Sequence, residues 1–385
     1  MSYELEEDLL IVISRLNLDD KQKIRISELC EETLNWDYLI RRAGDEGVDS
    51  LLYYHLKKLV GQGFSLADSS NSKELPYNLK ELSARYYSNL LSNIHLLDEF
   101  YEVLKRLHGI GIQVILLKGI YLIEKIYKNA GLRPMSDVDV FVKKKALPLI
   151  MGEMSKAGYS LTPHGHLGFL KDGEFPALID FHWDIWFPGT EDLWKRCVGQ
   201  SFSFASGDIQ AFTPDNEDML IYMSVHQSVN HGMHKLIWLC DIHEFIRTYR
   251  DNIDWESFIE RVRSYNIEIP LYSTLSYTKE LLKTEIPSVV LEAFKPLKSD
   301  SFKARVYRKT TTNHYTVDVG HILYLLLLKG WRRRYVYIIR YIFPERDFLV
   351  KRYSLSSSRV GYLYYIVRPL LLFFKSLKAL YQIVF

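Results

Sequence analysis

Residues 112–142, IQVILLKGIYLIEKIYKNAGLRPMSDVDVFV, constrain the chain more than any other stretch. The apolar run Ile112 to Leu117 reads as a strand that breaks at Lys118-Gly119. Apolar residues then recur at helical spacing (Ile120, Ile123, Ile126, Tyr127), and a Gly-Leu-Arg-Pro turn follows. Val138 to Val142 reads as a second strand, entered through Asp137 and carrying Asp139. Residues two apart on a strand share a face, so the two carboxylates project together while Val138, Val140 and Val142 enter a core. Two carboxylates on one face suit a pair of Mg²⁺ ions completed by phosphate oxygens. The competing reading is a solvated strand end.

Around this stretch the chain is mostly helical. Leu9, Ile13 and Leu16, then Trp36, Leu39 and Ile40, then Leu51, Leu52, Leu56 and Leu59 recur at helical intervals. After a polar linker at 61–76, a helix over 77–108 carries Leu90, Leu91, Ile94, Leu97, Phe100 and Leu104 as its expected core stripe. Lys143 to Lys145 read as solvated, opening a helix that ends at Gly158. Strands are expected over 166–171, 176–185 and 202–212, then a long helical segment from Asp218 to Tyr249 and helices over 255–265, 270–283 and 288–295. The expected fold is α+β: a small mixed sheet over 108–215, between helical regions at 1–107 and 216–330, with a basic aromatic tail at 331–385.

This order of motifs resembles the nucleotidyltransferases of the DNA polymerase β superfamily. More specifically it resembles a family of bacterial, largely uncharacterised nucleotidyltransferases with the pattern Leu-Lys-Gly, a helix, Gly-x-Arg, Asp-h-Asp-h-h (h apolar) and later Asp-h-His-Trp. Here these are Leu117-Lys118-Gly119, Gly131-Leu132-Arg133, Asp137 to Phe141 and Asp180-Phe181-His182-Trp183. The resemblance implies a Mg²⁺-dependent transferase that takes an NTP, ATP among the candidates. Asp137, Asp139 and Asp180 would be metal ligands and catalytic residues, Asp180 helping to activate the acceptor. Lys118 and Gly119 would hold phosphate, with Arg133 and His182 able to assist; a salt bridge at the turn and a structural histidine are the alternatives for these two. Ile120 stands where the superfamily usually has a second Gly or Ser, so the hydroxyl contact to the triphosphate is missing. This departure leaves open a catalytically degenerate nucleotide- or partner-binding module.

Within HQSVNHGMHKLIWLCDIHEF, the spacing of His226, His231, His234 and Asp241 fits no established zinc motif. Read as one helix, His234, Trp238 and Asp241 share a face, as do His231, Lys235 and Trp238. The family has a similar segment that closes over nucleotide or acceptor, so Lys235 and Asp241 are candidate binding residues, with helix packing as the alternative.

Charge is divided unevenly. From Lys329 onward 12 Lys and Arg face two acidic residues, while the remainder carries net −8. The tail WRRRYVYIIRYIFPERDFLVKRY suits RNA, an anionic membrane surface, or a helical pack with a solvated basic face. RNA would fit a toxin-like transferase acting on tRNA. Three widely spaced cysteines, an acidic N-terminus and the absence of a long uncharged apolar run lead us to expect a cytoplasmic protein, peripheral membrane contact being one option for the tail.

Overall fold

The computed structural model describes residues 3–61, 75–162, 167–184, 190–197, 201–203, 210–231, 235–296, 304–307, 318–328, 330–343 and 360–384. Four helices lead: α1 (Glu4–Ile13), α2 (Asp20–Glu31), α3 (Trp36–Glu46) and α4 (Asp49–Gly61). Asp19 and Gln22 close a reciprocal capping box at the start of α2. Gly47, at φ 71°, takes the left-handed conformation that ends α3.

The long helix α5 (Leu75–Gly109) departs from the expected stripe. Phe100 and Leu104 of that stripe are buried as expected, but Leu91 and Ile94 are exposed, and Leu82, Asn93, Leu96, Val103 and Leu107 are buried outside it. The true inner face recurs every three or four residues, but it includes Asn89 and Asn93. An apolar pattern therefore misplaces it. The two amides are on the inner face because they bond the loop before the second strand, described below.

Among the described residues seven strands form one sheet: β1 (Ile115–Leu116), β2 (Val138–Phe141), β3 (Ser160–Leu161), β4 (Leu167–Lys171), β5 (Ala177–His182), β6 (Ser201–Ser203) and β7 (Gln210–Phe212). Their order is β3-β4-β5-β2-β1-β7-β6. β2 runs parallel to β5 and β1 to β7, and the remaining pairs are antiparallel. The expected α+β architecture is borne out. The strand expected over 202–212 is two short paired strands instead, and residues 204–209 lie outside the described part.

Between β1 and β2 lie α6 (Lys118–Leu122) and a π-helical turn, Ile123–Tyr127, which ends at Lys128 with φ 53°. α7 (Leu147–Lys156) and α8 (Thr190–Cys197) flank the sheet. The segment expected as one helix over 218–249 is broken. α9 (Asn216–Val225) passes into a second π-helical turn, His226–His231, and α10 (Leu236–Thr248) starts after Lys235, whose backbone is extended. π turns are rare, and they collect at functional sites. Then come α11 (Trp255–Tyr265), α12 (Glu268–Leu282), α13 (Ser288–Phe294), α14 (Asp318–Leu327), α15 (Trp331–Ile342) and α16 (Val360–Val384). Buried side chains from Leu9 to Leu327 make one connected cluster, so the leading helices and the sheet share a core.

The inner face of α5 can be tested by denaturation. Leu91→Ser and Ile94→Ser should each change stability by less than about 0.5 kcal/mol, as for exposed positions. Phe100→Ala should cost about 3–5 kcal/mol, the range for emptying a buried aromatic site. Equal losses at all three would contradict the assignment.

Candidate active site

The sheet brings two of the expected carboxylates together through strand register. In the parallel β2–β5 pair Asp139 stands beside Asp180, and Val138 and Val140 stand beside Ile179 and Phe181. Those four apolar side chains are at most 1% exposed, so the register is fixed by what it buries. Asp137 precedes β2 by one residue and shares the acidic face. Ligand oxygens of Asp137, Asp139 and Asp180 all lie within 4.8 Å of one another. Among the described residues, no other group of three or more His, Cys, Asp or Glu side chains is arranged to hold a metal ion.

Electrostatics splits the three acids. Burial, and then the charges of Asp139 and Asp137, push Asp180 up to about 6. Burial and the Asp139 charge also raise Asp137. Burial acts on Asp139 as well, but Lys118 and the His182 hydrogen bond outweigh it and hold this carboxyl well below the usual carboxylate range. Lys118 Nζ is 3.3 Å from Asp139 Oδ2, and His182 Nε2 is 2.7 Å from Asp139 Oδ1. That bond, with the Asp139 charge, raises His182 against the effect of its burial. One ammonium and one imidazole thus stabilise one carboxylate, and the other two hold protons more tightly than free acids. Crowded oxygen donors short of positive charge fit a hard divalent cation.

Asp180 has a further constraint. Gly168 on β4 pairs directly with Asp180 across the strands. A Cβ built there would collide with Asp180 Oδ1 and lie 2.6 Å from Thr162 Oγ1. A glycine inside a strand marks such a close approach, and it is the sequence signal for this residue. The hydroxyl of exposed Ser136 donates to Asp137 Oδ1 at 3.1 Å.

The loop that delivers Asp137 is fixed from two sides. Asn93 Nδ2 donates to the carbonyls of Ala130 (2.6 Å) and Arg133 (2.8 Å), and its Oδ1 accepts from Met135 N–H (3.2 Å). Asn89 donates to the Gly131 carbonyl at 2.8 Å. Gly131 itself lies against the Tyr86 ring, whose atoms would come within 2.6 Å of a Cβ there. From the other side, Arg133 makes a two-pronged contact with Asp241, 2.9 Å from Nε and 2.7 Å from Nη2, and Tyr127 Oη donates to the same carboxylate at 2.8 Å. Both charged side chains are at most 5% exposed.

Arg133 and Asp241 are therefore engaged with each other in the interior, in the salt bridge weighed as the alternative for Arg133. Lys235 is exposed just before α10, where its charge acts on Asp49 at the start of α4. Because Lys235 precedes the helix, the facing inferred from one continuous helix does not apply to it. Gly119 is buried, and a Cβ there would meet Met135 Sδ at 3.1 Å. Ile120 is also buried, so the position of the absent hydroxyl is taken up in packing.

Two residues outside the expected set join the site. Lys118 Nζ also lies 3.1 Å from Nδ1 and 3.0 Å from Nε2 of His226, at the start of the second π turn. Buried Tyr222, one turn earlier, has its hydroxyl raised by burial and by the charges of Asp139, Asp137 and Asp180. His234 lies outside the described residues. Cavities of about 620 and 410 Å³ beside α10 and α12 share Arg250, Lys283, Thr284 and Glu285 and include none of the site residues.

A family model described as uncharacterised nucleotidyltransferase matches residues 32–283. The chain belongs to this family. The match covers α3 to α12 and the whole sheet, and so every residue of the site. No curated protein and no solved structure matches the chain. The aspartate trio able to hold a metal lies within the matched residues.

The crowding gives a pH prediction. A carboxyl raised in the folded state binds more protons there than when unfolded, so stability falls as pH rises from about 4 through about 6. Asp180→Asn should raise metal-free stability above pH 6 and flatten this decline. It should also remove the thermal stabilisation by Mg²⁺ or Mn²⁺, which for the wild-type chain reaches about 2.7 kcal/mol at a hundred times Kd. A metal-free variant less stable than wild type at neutral pH would contradict the crowding.

Proposed function

We propose that the protein is a Mg²⁺-dependent nucleotidyltransferase that moves a nucleoside monophosphate from an NTP to an acceptor hydroxyl or phosphate. The observation that carries this reading is the convergence of Asp137, Asp139 and Asp180 within 4.8 Å in a chain of a nucleotidyltransferase family. Asp137, Asp139 and Asp180 would hold the metal, two ions being the expected number. Bound divalent ions would neutralise triphosphate charge and stabilise the attacking and leaving oxygens.

The chain's own residues supply the rest. The acceptor oxygen forms a bond to Pα, the bond from Pα to the bridging oxygen breaks, and pyrophosphate leaves. Asp180 takes the acceptor proton as general base. Lys118 would exchange Asp139 for a phosphate oxygen when the nucleotide arrives, with His226 supporting the ammonium from behind. His182 would keep Asp139 ionised and oriented. Asn93, Arg133 and Asp241 act through the loop, as positioning residues for Asp137. The acceptor is a small molecule, a peptide or a protein.

A second reading has one observation in its favour. The Lys118 ammonium already occupies Asp139, as it would in a module that binds nucleotide without transferring it. Incubation with α-labelled NTPs and cell lysate separates the two. The transferase reading predicts label in one acceptor fraction, dependent on Mg²⁺, with Asp139→Asn lowering the rate about a hundredfold or more, the scale for losing a charge-stabilising group. Saturable Mg²⁺-dependent nucleotide binding with no label in any fraction would decide for the module. Absence of nucleotide binding would contradict both.

A further inference from the structure

The last two helices carry their apolar residues outward. On α16, Ile366, Leu370, Phe373, Phe374, Leu377 and Tyr381 recur every three or four residues and are all exposed, Phe374 to 66%. Arg368, on the opposite side of the helix, is buried instead. Its Nε and Nη2 donate to the Tyr341 carbonyl at 3.3 and 3.0 Å, and its guanidinium lies 5.6 Å from the centre of the Tyr341 ring. This anchors α16 to α15 through a buried guanidinium, while the apolar stripe faces outward together with exposed Lys375 and Lys378. α15 continues the pattern with exposed Trp331 (72%), Tyr335 and Ile338 beside exposed Arg332, Arg333 and Arg334.

An exposed apolar stripe of this length on a folded chain marks a contact surface, and its chemistry selects the occupant. The sequence from Lys329 onward is net +10, which calls for an anionic partner. The stripe includes aliphatic Ile366, Leu370 and Leu377, which offer nucleic-acid bases no stacking plane but match acyl chains. Aromatic side chains with flanking Arg and Lys are the composition of helices that lie in a membrane interface. At 25 residues α16 is about 37 Å long, yet Arg368, Lys375 and Lys378 interrupt it, and no helix among the described residues is long and apolar enough to cross a membrane. It can lie in the interface but not span.

We propose that α15 and α16 form an in-plane anchor that binds the surface of an anionic phospholipid bilayer. α14, against which α16 packs, also leans on the π turn that carries His226. Tyr324 on α14 is close enough to Asp184, two residues beyond His182, for that carboxylate to act on its hydroxyl. The anchor is thus joined to the end of the sheet that carries the aspartates. The inference rests on the C-terminal helices alone and stands whether or not the protein transfers nucleotides.

The test is co-sedimentation of the full chain with vesicles of phosphatidylcholine alone or with added phosphatidylglycerol, at low and high salt. The wild-type chain should pellet with phosphatidylglycerol vesicles and far less with phosphatidylcholine alone. Leu370→Ser/Phe373→Ser/Phe374→Ser, all at exposed positions, should lower partitioning about a hundredfold or more. Arg332→Ser/Arg333→Ser should lower it about thirtyfold and weaken its salt dependence. Circular dichroism confirms that each variant is folded, and the arginine variant keeps the test decisive if the triple variant is not. The proposal is overturned if the wild-type chain ignores both vesicles or if the folded triple variant binds undiminished. RNA binding that the arginine variant loses and the triple variant keeps, without vesicle binding, assigns the tail to RNA and also overturns it. So does a concentration-dependent dimer that the triple variant abolishes, if no vesicle binding accompanies it.

Discussion

Three carboxylates within 4.8 Å repel one another, and much of this fold serves to hold them in place. The parallel register of β2 and β5 sets Asp139 beside Asp180, and the cost of unburying Val138, Val140, Ile179 and Phe181 prevents a slip of one residue. Gly168 leaves the space into which the Asp180 carboxylate turns. Asp137 arrives on a loop bonded by Asn93 on one side and by the Arg133–Asp241 pair on the other. A buried ion pair adds little over well-packed apolar groups, but losing one partner is expensive. Its value here is geometric, since it fixes the chain four residues before Asp137.

The compensation inside the cluster is deliberately incomplete in its chemistry. Lys118 and His182 are both directed at Asp139, which leaves Asp137 and Asp180 raised. A site fully neutralised by its own side chains would have no use for a cation. One that leaves two carboxylates only partly compensated loses stability when empty and regains it on binding, the common relation between an active site and its scaffold.

The acidic core of the site was legible because β structure repeats every two residues: Asp137/Asp139 and Asp180/His182 face one way and their apolar neighbours the other, as the sheet bears out. The supporting residues were not legible, for specific reasons. Asn89 and Asn93 interrupt an apolar stripe, so periodicity turned α5 toward Leu91 and Ile94, which are exposed. Arg133 and Asp241 are 108 positions apart, and nothing local announces that each satisfies the other. His226 and Tyr222 reach the site because α9 ends in a π turn rather than continuing as a helix, a break that the apolar spacing from Asp218 to Tyr249 conceals. The tail was legible in composition only. Its basic and aromatic content stood out, whereas the outward direction of its apolar side chains needed the buried Arg368 to be seen.

The central claim is that the aspartate trio is a divalent-cation site, and Mn²⁺ titration of the metal-free protein followed by electron paramagnetic resonance tests it most directly. Saturable binding is predicted, strengthening as pH rises through about 6 where Asp180 loses its proton, and lost in Asp139→Asn and Asp180→Asn variants that remain folded. Absence of saturable binding to the wild-type chain, or binding that both variants retain, would contradict it.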